Sequence, residues 1–138
     1  MQKVILDTNV IVSALISNSA PTQILYQLVF KQAVQPCLSV EVFAEYVDVL
    51  GRDKFSRFPA FRSKADVVLT KLKEISTVYT TDRTVDILSD TSDNKFLELA
   101  AVSEADYLIT GNTLDFTITE FEYTQIVTPR AYWDLYKP

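Results

Sequence analysis

Val4-Ile5-Leu6-Asp7-Thr8-Asn9 is the stretch on which the fold turns. Three apolar residues in unbroken succession fit a short strand buried on both faces, as in a parallel sheet. Asp7 stops the run at once, and Asp-Thr-Asn is good chemistry for capping a helix. Outward from this point strand and helix signals alternate. Ile24, Leu25, Leu28 and Val29 recur at helical spacing after Pro21, which is well placed near a helix start. Residues 34–38 read as a second strand, followed by a helix over about 40–50 with Ser39 as N-cap and Gly51 just past its end. Ser63 and Asp66 resemble a capping box ahead of the helical stripe Ala65, Val68, Leu69, Leu72 and Ile75. A further helix is predicted over 93–104, strands over 107–109 and 126–127, and a closing helix over 129–136. Strands alternating with helices predict an α/β sandwich around a mostly parallel sheet, in a single domain over residues 1–138.

Composition removes whole reaction classes. The chain has 138 residues, 48% apolar and 22% charged, with 13 basic against 18 acidic side chains and a net charge of -5. It holds no His, a single Cys (Cys37) and two Gly. Ser-His-Asp and Cys-His catalysis are therefore excluded, and so are Cys/His zinc sites and glycine-rich phosphate loops. Carboxylates remain in quantity, and oxygen ligands favour Mg²⁺ or Mn²⁺. The lone Cys, the lack of a basic-then-apolar leader and the absence of a bilayer-length apolar run predict a cytoplasmic protein without a membrane partner.

In open parallel sheets ligands bind outside the carboxyl ends of the strands. Asp7 follows the first strand and Asp115 follows the strand at 107–109, so both are expected at one edge. Asp93 opens a helix in which Leu97 and Ala100 follow at i+4 and i+7, which aligns its carboxylate with the core-facing line. Glu45 shares a helical face with Glu41 and Asp48. Each acid also has a purely structural explanation. Asp7 and Asp93 suit helix starts, Glu45 suits a solvated acidic face, and Asp115 suits a turn. Taken together they are harder to explain away, because converging carboxylates repel one another unless a cation compensates them.

Four blocks carry a resemblance: residues 5–15 (Ile-Leu-Asp-Thr-Asn-Val-Ile-Val-Ser-Ala-Leu), 42–46 (Val-Phe-Ala-Glu-Tyr), 90–100 (Asp-Thr-Ser-Asp-Asn-Lys-Phe-Leu-Glu-Leu-Ala) and 108–116 (Leu-Ile-Thr-Gly-Asn-Thr-Leu-Asp-Phe). In this order and context they resemble the PIN domain family, and within it the VapC-like toxins of bacterial toxin-antitoxin modules. The resemblance implies a three-layer α/β/α sandwich and a Mg²⁺- or Mn²⁺-dependent ribonuclease. Matched motif by motif, Asp7, Glu45 and Asp93 stand at the three core acids, Asp115 at the fourth, and Asn9 and Thr110 at polar positions lining the site. Other members carry Asp where this chain has Asn112, so the resemblance leaves open how the fourth ligand is supplied and whether a second metal is held. It further implies an RNA substrate, a homodimer and a neutralising antitoxin. A PIN-like nucleic-acid-binding or scaffold domain without cleavage is the alternative, motivated by Asn112 and the weakly specified Glu45.

Charge is segregated along the chain. Residues 52–73 contain seven basic side chains against two acidic ones, so the remainder of the chain is strongly acidic. Any polyanion must be held by such local charge, which makes Arg52, Lys54 and Arg57 candidates for RNA contact. Phe55, Phe58 and Phe61 interleave with them, either as base-stacking platforms or as ordinary core residues.

Overall fold

Val4, Ile5 and Leu6 lie in β1 (Lys3–Leu6), a central strand of the sheet, and are buried on both faces. The computed structural model describes residues 1–88, 93–111 and 118–136. Its strands run in the order β3-β2-β1-β4-β6-β5, with β2 at Gln35–Ser39, β3 at Thr77–Tyr79, β4 at Tyr107–Ile109, β5 at Glu120–Phe121 and β6 at Thr124–Val127. Every pairing is parallel except that of β5 with β6. Helices α1 (Thr8–Ile16), α2 (Ala20–Gln23), α3 (Val40–Leu50), α4 (Phe61–Ile75), α5 (Asn94–Ser103) and α6 (Pro129–Tyr136) complete a three-layer α/β/α sandwich. After α2 the chain continues over Ile24–Val29 in wider turns, with the Phe30 amide donating to the Leu25 carbonyl at 2.9 Å.

Most boundaries follow the local chemistry of the sequence. The Ser39 hydroxyl accepts the Val42 amide at 3.1 Å and starts α3, and Gly51 ends it by donating to the Val47 carbonyl at 3.1 Å. The expected capping box at Ser63 does not open α4. That helix begins earlier, after Ala60, which takes a left-handed φ of 59°. Phe61 is buried and stacks on Phe55 with ring centroids 4.9 Å apart, so aromatic packing sets the helix start in place of the polar cap. Strands β3 and β5 have three and two residues, too few to show a period in the sequence.

The C-terminal aromatics cover the core. Tyr132 is buried, packs edge-on against Tyr107, and donates to the Gln2 side chain at 2.8 Å, while Tyr136 donates to the Ala33 carbonyl at 3.1 Å. Among the described residues no helix is long and apolar enough to cross a membrane.

Cys37, in β2, is buried, and burial raises its thiol from an ordinary value of 9.0 to about 11. A raised folded value means that the neutral thiol's contribution to stability is complete below pH 9.0 and is lost as pH rises through about 11. Native protein at pH 8 should therefore resist alkylation by iodoacetamide, with labelling appearing only on addition of denaturant. Equal labelling rates in the two conditions would contradict this packing.

Candidate functional site

Parallel pairing of β1 with β4 sets Leu6 opposite Ile109, so the residues that follow them emerge at the same edge of the sheet. Those residues are Asp7 and Thr110, both buried. The Asp7 amide continues the ladder by donating to the Ile109 carbonyl at 2.9 Å. Its carboxylate accepts the Thr8 amide on Oδ1 at 2.7 Å and the Thr110 hydroxyl on Oδ2 at 2.6 Å. Asp7 is thus the N-cap of α1, as its bland explanation holds, and also the hub of a polar cluster. Beside it the Gly111 amide donates to the Asn9 side-chain oxygen at 3.4 Å.

Glu45 is brought to this cluster by its neighbour. Tyr46 is buried, and its phenol donates to the Leu6 carbonyl, fastening α3 to the end of β1. Burial first, and then the charges of Asp7 and Glu45, hold that phenol protonated well above its ordinary value of 10.0. Anchored in this way, Glu45 accepts the Thr8 hydroxyl on one carboxylate oxygen and the Lys95 ammonium on the other, the latter at 2.9 Å. The line Thr110, Asp7, Thr8, Glu45, Lys95 therefore joins β4, α1, α3 and α5.

Asp93 immediately precedes α5 and is buried, two residues before Lys95 in the chain. The adjacent Asn94 pins the approach to α5, its side-chain oxygen accepting the amides of Ile87 at 3.3 Å and Leu88 at 3.0 Å. Asn112 and Asp115 lie outside the described residues.

Among the described residues no three acids form a group ready to hold a metal ion. The donor chemistry nevertheless fits a hard divalent cation. The candidates are carboxylates, and one of them already holds a cation, the Lys95 ammonium.

Residues 3–114 match the PIN domain family. The chain belongs to the PIN domain family. An uncharacterised protein of Methanocaldococcus jannaschii is 30% identical over 111 residues, covering 80% of this chain and 70% of its own. In fold this PIN domain is similar to a chain of VapBC2 from Rickettsia felis, solved bound to a DNA fragment from their promoter, with a TM-score of 0.59 and 15% identity over 92% of this chain and 98% of that one. It is similar too to a chain of FitAB bound to an IR36 DNA fragment, with a TM-score of 0.58 and 16% identity over 91% of this chain and 94% of that one. PIN domains are generally nucleases and typically use divalent metals.

The basic segment of this PIN domain has its own arrangement. Arg52 pairs with Asp48 at 3.0 Å, Lys54 lies over Phe55 at 5.2 Å and Arg57 over Phe58 at 4.9 Å. Phe61 is buried and Phe55 and Phe58 pack against the core, so these rings serve the fold, while the three cationic groups remain exposed.

Thr8, Tyr46, Asn94 and Lys95 are the site residues that the sequence reading did not single out. Clustered acids need a compensating charge, but nothing in the spacing sets Lys95 against Glu45.

Replacing Thr110 by Val in this PIN domain leaves the buried Asp7 carboxylate without one of its donors. The cost in denaturant unfolding at pH 7 should be about 1–3 kcal/mol, with Thr110→Ser close to the parent. A Thr110→Val protein as stable as the parent would show that the hydroxyl does not hold Asp7.

Proposed function

We propose that this PIN domain is a metal-dependent endoribonuclease that cleaves single-stranded or structured RNA and acts as the toxin of a toxin-antitoxin module. The observation that carries the reading is the continuous line from Thr110 through Asp7 and Glu45 to Lys95 at the carboxyl edge of the sheet. Such an edge is where open parallel sheets bind their ligands. Asp7, Glu45 and Asp93 are the proposed ligands of Mg²⁺ or Mn²⁺, with Asp115 as a fourth. A divalent ion bound there supplies positive charge for the phosphoryl group and lowers the pKa of a bound water.

The chain's own residues do the rest. Thr8 and Thr110 fix the orientation of the Asp7 carboxylate before any ligand arrives, so little reorganisation is required of it during reaction. Tyr46 holds α3 at a fixed distance from β1, which keeps Glu45 at the edge of the site. Asn9, Thr110 and Asn112 are proposed as polar lining that meets the substrate. Arg52, Lys54 and Arg57 offer exposed positive charge on an acidic protein, suited to the RNA backbone away from the acids. Similarity to VapBC2 and FitAB supports a cognate antitoxin as a partner, and homodimerisation belongs to the same reading.

A second reading has an observation of its own. Glu45 is already neutralised by Lys95, which favours a PIN domain that binds RNA without cutting it.

The two separate in a cleavage assay on single-stranded, hairpin and transfer RNAs with Mg²⁺ or Mn²⁺. The nuclease reading expects cleavage that EDTA abolishes and that Asp93→Asn lowers on the order of a hundredfold, the scale of losing one charge-stabilising group. A panel that stays intact yet is bound in a gel-shift assay, with metal binding still detected by calorimetry, would favour the non-cleaving reading over the nuclease unless the substrate lies outside the panel.

A further inference from the structure

The pair between Lys95 and Glu45 differs from the other ion pairs among the described residues. Arg130–Asp134 is an exposed i,i+4 pair along α6, Arg52–Asp48 is an exposed i,i+4 pair just past the end of α3, and Arg83–Glu122 is half exposed on both sides. Lys95 and Glu45 come from different helices, with side chains only 26% and 16% exposed. Holding a lysine in such a place costs desolvation and side-chain entropy, and the return is neutralisation of a carboxylate beside a buried acid. The Thr8 hydroxyl already occupies one Glu45 oxygen, so Lys95 sits on the oxygen that remains. A hard divalent ion would seek that same oxygen, and it would meet the ammonium there as a like charge.

We propose that Lys95 is a built-in counter-ion that occupies Glu45 in place of a metal and competes with it, so that Lys95 sets the metal concentration at which the site loads. This rests on the metal-dependent reading of the site. Lys95 in this role is a positioning residue, since it acts through Glu45. The competition is electrostatic, so removing the charge while keeping the side-chain stem should strengthen metal binding, whereas a merely structural lysine would leave affinity unchanged or weaken it.

The test is calorimetric titration of the full chain with Mn²⁺, paired with thermal melts in EDTA and in Mn²⁺. Lys95→Met and Lys95→Gln should bind Mn²⁺ at least about tenfold more tightly than the parent, the result of removing one nearby positive charge. Both should melt lower than the parent in EDTA and gain more from Mn²⁺, and Lys95→Arg should stay near the parent. In a Glu45→Gln background most of the gain from Lys95→Met should vanish. Binding by Lys95→Met or Lys95→Gln that equals or falls below a measurable parent affinity would overturn the counter-ion role while leaving the metal site standing. If neither the parent nor the neutral variants bind Mn²⁺, the metal reading and the counter-ion fall together.

Discussion

Asp7 serves two neighbours with one carboxylate: it accepts the amide that opens α1 and the hydroxyl that follows β4. A carboxylate this deeply buried is tolerable only when its oxygens are hydrogen-bonded, and here the donors come from two different elements. The same residue therefore closes the β1–β4 pairing, caps a helix and fixes a negative charge at the sheet edge. Glu45 is positioned relative to it through Thr8 on one side and Tyr46 on the other, so the second acid inherits its place from the first strand. The remaining geometry of the site depends on this junction.

Much of this was legible in the residues. The unbroken apolar run before Asp7, the Ser39 cap and the strand at 107–109 each carry a strong local signal, and each element forms where that signal lies. The start of α4 was not legible because it depends on Phe61 finding Phe55, a contact made in three dimensions. Strands β3 and β5 were invisible for a different reason, since they exist through pairing with longer neighbours. At the site, the acids could be listed from sequence because carboxylates are chemically distinctive. Their partners could not, because a Thr or Lys becomes a ligand of Glu45 only when α1, α3 and α5 meet.

Charge organises the molecule on a larger scale. Asp7 and Glu45 meet through Thr8 where β1 ends, and the local excess of basic side chains falls on the segment from the end of α3 through α4. An acidic protein can approach a polyanion only through such a segregated patch. Aromatic rings packed beneath Lys54 and Arg57 keep these side chains outward without committing the rings to nucleic acid. The basic segment and the junction of Asp7 with Glu45 thus belong to different elements of the fold.

On the proposed function, a divalent cation binds beside Asp7 and Glu45 where β1 ends, with Asp93 as a further proposed ligand. Titrating ¹⁵N-labelled protein with Mn²⁺ tests it directly, because the bound ion broadens the amide signals nearest to it. First loss of the Thr8, Lys95, Thr110 and Gly111 amides is the predicted result. Broadening confined to the outer face of α3 around Glu41 and Asp48, with those four amides still sharp, would contradict it.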